Sequence, residues 1–252
     1  MNPSTPKRHA TLSIIIPLFN EEENLPLMID GIFGVLGDDP DFLELVLVDD
    51  GSRDQTIALA QAYLAREPRI RLVRHDRNRG LGAGIRSGLA AAEGELVLYT
   101  DADLPFDFNL IPELLARATA DTVVIGCRNN RGEGGRRWLL TKGYNLLCRV
   151  LLGLRVRDVN FACKLLPRRA VRGMRLEAEG SFIDAEMLRE CLRLGCTITE
   201  FPMTYHPRTL GQSTLSRPGV VFGIVREMLR YLFRPYVPAE YELAEETDSQ
   251  RG

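Results

Sequence analysis

The sequence predicts an α/β protein built on a doubly wound, mostly parallel sheet, with a helical region in its C-terminal half. Three observations carry that expectation. Short apolar runs rich in β-branched residues recur through the first half of the chain, amphipathic helical stretches separate them, and three polar clusters stand where apolar runs end. Runs of this length, apolar on both faces and spaced by helices, fit parallel strands covered on both sides.

In order, Leu12–Ile16, Leu43–Val48, Ile70–Val73, Glu95–Thr100 and Thr122–Gly126 read as strands. Helical periodicity fills Glu22–Leu36, Gln55–Arg66, Gly82–Ala92 and Asn109–Arg117. After Gly126 the rhythm changes: Arg128–Arg137 is a Gly/Arg-rich loop and Trp138–Leu154 an apolar helix studded with arginine. Asp158–Leu166 adds a strand, Phe182–Leu194 a helix, Ile198–Met203 an edge strand and Gly219–Phe233 an amphipathic helix. Residues 1–11 read as a flexible N-terminus and 236–252 as an acidic, disordered tail. Between them 12–235 forms one domain, with 12–126 as its first half and 127–235 as its second.

A chain of 252 residues is long enough for one large core. Its net charge of -2 gives no global reason to expect nucleic acid as a partner. The five cysteines show neither CxxC nor zinc spacing and read as buried free thiols. MNPSTPKRHAT has no apolar segment of the secretory kind, and no run of about 18 uncharged apolar residues occurs. The expected location is cytoplasmic, with peripheral contact at the inner membrane face.

In an open parallel sheet, ligands bind beyond the carboxyl ends of the strands. Pro17-Leu18-Phe19-Asn20-Glu21, Asp49-Asp50-Gly51-Ser52 and Asp101-Ala102-Asp103 occupy those ends. Carboxylates gathered at one edge repel one another unless a cation offsets them, and Mg²⁺ or Mn²⁺ bridged to a diphosphate is the natural resolution. A helix N-cap would account for Asp49–Ser52 alone, but not for three clusters. Gly80-Leu81-Gly82-Ala83-Gly84 fails the dinucleotide pattern because Ile85 stands where the third glycine belongs. No Walker A or G-x-S-x-G motif occurs, and His9, His75 and His206 lack metal or triad spacing.

Ile14–Glu21, Val48–Ser52, Asn78-Arg79-Gly80 and Asp101-Ala102-Asp103 together resemble the family 2 inverting glycosyltransferases of GT-A fold. The resemblance implies that Pro17, Phe19, Glu21, Asp49 and Asp50, with Asp101, Ala102 and Asp103, bind a nucleoside-diphosphate sugar. It implies that Asp101 and Asp103 hold the metal. The second half is similar to the dolichyl- and polyprenyl-phosphate sugar synthases. It carries this likeness in Gly126-Cys127-Arg128, Arg137–Lys142, Asp158–Lys164, Gly180–Glu186 and Arg208–Ser213. Pro105 departs from the pattern, standing where several relatives have a metal-assisting Gln, as do Phe161-Ala162-Cys163 and Thr214.

Between Arg128 and Arg157 lie eight basic residues and one acid, Glu133, a local charge of 8 − 1 = +7. Guanidinium groups suit phosphate, and leucines interleave the bases, so this stretch predicts contact with a phosphate and with an anionic membrane. Core packing is the rival reading of the same helix. Arg226, Arg230 and Arg234 repeat the pattern at i, i+4 and i+8.

The expected acceptor is a polyprenyl phosphate held by Arg128, Arg137, Thr141, Arg208 and Ser213, with Arg128 and Arg208 also acting at the transfer point. Such a phosphate needs no strong base. A hydroxyl acceptor, saccharide or small metabolite, is the alternative and would require one, with Asp158 as the candidate. A nucleotidyltransferase would carry a basic phosphate loop after the first strand, where Phe19–Glu23 is acidic. A non-catalytic lipid-binding module would not need Asp101-x-Asp103.

Overall fold

A computed structural model describes residues 10–129, 135–205 and 218–234, with the backbone alone for 135–140 and 218–222. Seven strands form one sheet: β1 (Leu12–Leu18), β2 (Phe42–Asp49), β3 (Ile70–Arg74), β4 (Leu96–Thr100), β5 (Thr122–Arg128), β6 (Cys163–Pro167) and β7 (Thr197–Met203). Their spatial order is β3-β2-β1-β4-β6-β5-β7. The pairs β1–β2, β2–β3, β1–β4 and β5–β7 are parallel, whereas β6 runs antiparallel to both β4 and β5. The expectation of a mostly parallel sheet therefore holds, with one reversed strand near the middle.

Helices α1 (Leu25–Leu36), α2 (Thr56–Leu64) and α3 (Leu81–Ala91) alternate with the first strands. A 3-10 turn at Phe108–Leu110 runs into the short α4 (Ile111–Leu115). The second half adds α5 (Gly135–Leu152), α6 (Arg168–Gly173), α7 (Ile183–Arg193) and α8 (Pro218–Leu232). The strands lie within a residue or two of the expected positions up to β5, because unbroken apolar runs leave little choice of register. The helix expected from Glu22 starts at Leu25, since residues 20–24 are drawn into side-chain bonds with the loop after β2. The strand expected from Asp158 starts only at Cys163, because Asp158 turns its carboxylate to Arg128. The short α6 has no counterpart in the sequence reading; at six residues it offers too little periodicity to detect.

Alternate strand residues feed two cores, one on each face of the sheet. Ile14, Ile16, Leu45 and Leu47 pack with α1 and the Phe106–Phe108 turn. Ile15, Val46, Val48 and Tyr99 face α3, α5 and α7 on the other side. All five cysteines are buried free thiols, and burial pushes the Cys163 thiol up to about 12. Residues 1–9 and 235–252, which contain most of both expected terminal segments, lie outside the described residues.

Candidate active site

The strand order reverses between β1 and β4, which makes the carboxyl ends of these neighbours the switch-point crevice of the sheet. The loops after β1 and β2 are stitched together there. The Asn20 amide donates to Ser52 Oγ (3.0 Å), the Arg53 amide to Asn20 Oδ1 (2.8 Å) and the Glu21 amide to Thr56 Oγ1 (2.8 Å). Asn20 adopts φ 55°, the left-handed region that Asn tolerates better than most residues. Glu21 is buried and accepts from Asn24 Nδ2 at 2.7 Å. Together Asn20–Asn24, Arg53 and Asp54 line a cleft of about 370 Å³. Phe19 stands 41% exposed on the same loop, and Pro17 sits where a Cβ on Gly84 would come within 3.0 Å of it.

Asp49 and Asp50 have separate roles. Asp49 Oδ1 accepts the Ser52 amide at 3.2 Å, while its buried Oδ2 finds no partner among the described residues. A donor group on a bound ligand would satisfy that oxygen. Asp50 is fully employed by protein: its carboxylate accepts the amides of Arg79 (2.8 Å) and Gly80 (2.9 Å) and meets His75 Nδ1 at 2.7 Å. His75 Nε2 lies 2.9 Å from Ser87 Oγ on α3. With Asp50 ionised, Nδ1 donates to it and Nε2 accepts from Ser87. His75, set aside in the sequence as a lone histidine, is thus the buried brace of the loop 75–80.

The glycines after that loop serve close packing. A Cβ on Gly82 would lie 2.0 Å from the Ala178 carbonyl oxygen, and one on Gly80 2.5 Å from that of Glu179. The Gly82 amide donates to the Glu179 carbonyl at 2.8 Å, and Arg86 donates to the Ala178 carbonyl. Residues 178–179 therefore lie directly on the start of α3, joining the two halves of the chain beside the donor-side loops.

Asp101 and Asp103 follow β4 as expected, with Ala102 buried between them. Leu104 next to them has φ 51°, a costly conformation for a γ-branched side chain and one that clusters at functional sites. Tyr99 Oη donates to Asp101 Oδ1 at 2.9 Å. Burial, then repulsion from Asp103 and Asp184, pushes Asp101 up to about 7. Such a carboxylate lacks a compensating positive charge. No set of three or more His, Cys, Asp or Glu side chains among the described residues is placed to hold a metal unaided. One or two carboxylates completed by phosphate oxygens is the usual setting for Mg²⁺, so the pair fits a cation shared with a diphosphate.

Beneath this pair, Lys164 on β6 is buried and donates to Asp184 Oδ1 (2.5 Å) and to the Phe161 carbonyl (2.8 Å). Burial raises the Asp184 carboxyl, and Lys164 opposes that rise. Asp184 escaped the sequence reading because an acid in the first turn of a helix is ordinarily a complement to the helix dipole.

The residues expected at the acceptor end are arranged differently from the sequence reading. Arg128 and Asp158, assigned there to acceptor phosphate and to base, bond each other through Nε–Oδ2 (2.6 Å) and Nη2–Oδ1 (3.0 Å). Their side chains are 10% and 1% exposed, and the Arg128 guanidinium also lies 5.2 Å from the Tyr205 ring. Thr141 is half-buried on α5; Arg137 lies on the same helix, where only the backbone is described. Arg208 and Ser213 lie outside the described residues. Arg234, expected on an outer arginine stripe, instead turns inward to Glu190 (3.0 Å) and the Arg175 carbonyl (3.1 Å).

Residues 13–174 match the family described as Glycosyl transferase family 2. The chain belongs to that family. Among its relatives, a dodecaprenyl-phosphate galacturonate synthase of Rhizobium johnstonii is 29% identical over 238 residues, covering 90% of this chain and 68% of that protein. A dolichyl-phosphate beta-glucosyltransferase of Trichomonas vaginalis is 33% identical over 212 residues, covering 77% of this chain and 65% of that protein. The chain thus spans about two thirds of the length of these relatives. In three dimensions it resembles glucosyl-3-phosphoglycerate synthase of Mycobacterium tuberculosis solved with UDP. The TM-score is 0.71 at 21% identity, over 90% of this chain and 82% of that one. The family 2 assignment and the GT-A fold are therefore secure, and the carboxylate edge of the sheet is where such a chain presents its site.

Proposed function

We propose that the chain transfers a sugar from a nucleoside-diphosphate donor to a hydroxyl acceptor, with inversion at the anomeric carbon. The observation that carries this reading is the Asp101–Asp103 pair with Asp184 beside it, whose mutual repulsion raises the Asp101 carboxyl to about 7. Mg²⁺ or Mn²⁺ held by Asp101 and Asp103 would supply charge neutralisation for the diphosphate. The Mycobacterium tuberculosis glucosyl-3-phosphoglycerate synthase has been solved with Mn²⁺, UDP-glucose and phosphoglyceric acid, which supports both the cation and a small acceptor.

Around that centre the chain's own groups divide the work. Asp50 and His75 fix loop 75–80 against the donor crevice, and Glu21 and Asn24 hold the adjoining wall. Asp184, with Oδ1 on Lys164, takes the acceptor proton as the acceptor oxygen bonds to the anomeric carbon. The bond from that carbon to the diphosphate breaks, and the nucleoside diphosphate leaves. A carboxyl raised by burial is matched to such proton transfer near neutral pH. Asp158 does not suit the role because Arg128 occupies both of its oxygens.

A second reading places a polyprenyl phosphate at the acceptor position. The Rhizobium and Trichomonas relatives, named for lipid-phosphate products, and the +7 stretch from Arg128 to Arg157 favour it. The two readings separate in one assay. The chain is given UDP- and GDP-sugars with Mn²⁺, and is offered 3-phosphoglycerate, simple saccharides, polyprenol and polyprenyl phosphate. Transfer to a hydroxyl that is lost in Asp184→Asn supports the first reading. Transfer to polyprenyl phosphate that survives Asp184→Asn replaces it with the second.

A further inference from the structure

Helices α5 and α8 each bury one stripe and expose the other. On α5, Tyr144, Cys148 and Leu152 face inward at i, i+4 and i+8, while Leu146, Leu147, Val150 and Leu151 are 60%, 44%, 69% and 43% exposed. On α8, Ile224, Met228 and Tyr231 face inward, and Val225, Leu229 and Phe233 just beyond its end are 40%, 47% and 84% exposed. The inner sides of the two helices meet over α7, where burial together with Asp184 and the α8 residue Glu227 raises the Tyr144 hydroxyl. Exposed large apolar side chains elsewhere are few and scattered: Phe19, Leu27 and Leu43 among the described residues. Two neighbouring helices thus concentrate the exposed apolar surface, more than single scattered leucines require.

The charges on these helices are all of one sign on the outside. Arg149, Arg226 and Arg230 are exposed, and α5 contains no acid. The single acid of α8, Glu227, is turned inward, its Oε1 accepting the amides of Glu179 (2.9 Å) and Gly180 (3.0 Å). Two copies of such a face would set arginine against arginine, so charge disfavours a second copy. Apolar side chains ringed by bases, with no acid among them, complement a surface that is apolar below and anionic above. No helix among the described residues is long and apolar enough to cross a membrane, so the contact is one of lying on the surface.

We propose that the outer faces of α5 and α8 dock the enzyme on an anionic lipid surface, Val150, Leu229 and Phe233 entering the headgroup boundary and Arg149, Arg226 and Arg230 meeting lipid phosphates. This goes beyond the transfer reaction and is independent of which acceptor the site takes, since it concerns residues on the side of α5 and α8 away from Asp184. The fold supports it mechanically. Arg234, Tyr231 and Glu227 pin the inner side of α8 to Glu190 on α7 and to residues 175–180, so α8 is a fixed part of the domain.

The test is flotation of the full chain with vesicles of phosphatidylcholine alone and of phosphatidylcholine with 30% phosphatidylglycerol, about 0.1 M and 0.5 M in salt. The expected result is binding to the anionic vesicles only, at least tenfold weaker at high salt. Arg226→Gln and Arg230→Gln should each lower partitioning about fivefold. Val150→Glu with Leu229→Glu should abolish it while leaving the melting temperature unchanged, because both side chains are exposed. No binding to either vesicle, or equal binding to both, overturns the proposal. So does a stable dimer that the same double variant dissociates, since the face would then belong to a second copy. Loss of glycosyl transfer with vesicle binding intact would count against the proposed reaction and leave this surface standing.

Discussion

Lys164 and Asp184 meet 2.5 Å apart with side chains 0% and 6% exposed, one strand away from the Asp101 carboxylate. A buried pair of this kind contributes little net stability against an apolar replacement, but removing one partner leaves an uncompensated charge. Lys164→Met should therefore destabilise the fold by about 3–5 kcal/mol, read as a large fall in the denaturant midpoint with unchanged slope. Asp184→Asn keeps a hydrogen-bond acceptor for Lys164 and should cost less. Under the hydroxyl reading it should still lower turnover by about 10²–10⁴ while leaving donor affinity intact. Full turnover of Asp184→Asn on a hydroxyl acceptor would remove it as the base.

The metal-free protein should carry a pH-dependent penalty at Asp101. Its folded carboxyl is raised to about 7 from an ordinary 3.8, so its favourable contribution is full below about 3.8 and is lost as the pH rises through 7. Asp101→Asn removes the ionisable group. In EDTA the variant should melt higher than the parent at pH 8, with the gap narrowing steadily towards pH 4. The same substitution should abolish Mn²⁺ binding by calorimetry. Equal melting temperatures across that range would show that Asp101 carries no such strain.

Gly82 offers a test of how the two halves are joined. An added Cβ would lie 2.0 Å from the Ala178 carbonyl oxygen, a backbone atom that cannot rotate away. Gly82→Ala should destabilise by about 1–3 kcal/mol. It should also weaken nucleoside-diphosphate binding, because α3 starts directly after the Asp50-bound loop. Gly34→Ala on α1 meets nothing within 4 Å and is the matched control, expected to be neutral or stabilising.

Much of this architecture was legible from residue order. The parallel strands followed from unbroken apolar runs such as Ile14–Ile16 and Leu45–Val48, whose register is enforced by burial on both faces. The metal-side carboxylates followed from Asp101-x-Asp103 standing at a strand end. What remained hidden was pairing across distance. Arg128 and Asp158 are thirty residues apart and read as two ligand-binding groups, yet each is the other's partner. His75 became meaningful only when Asp50 was found beside it, and Arg234 only when α8 was seen folded against Glu190. A helical wheel records spacing along one helix, but which side of it faces a neighbour is decided by the neighbour.

The Arg128–Asp158 pair gives the last and most direct test of how the acceptor end is built. Were Arg128 chiefly an acceptor-phosphate ligand, its removal would raise acceptor KM and leave the fold untouched. The geometry requires otherwise: Nε and Nη2 hold both oxygens of a carboxylate that is 1% exposed, and the guanidinium covers the Tyr205 ring at 5.2 Å. Arg128→Met should strand that carboxylate and destabilise by about 3–5 kcal/mol. Arg128→Lys should recover only part of the loss, because an ammonium cannot match two parallel bonds. Removing both charges in Arg128→Met with Asp158→Leu should restore much of the stability that either single change loses, a coupling readable in a double-mutant cycle. Additive losses across the cycle, or an Arg128→Met variant that melts like the parent but needs tenfold more acceptor, would return Arg128 to the role of a phosphate ligand.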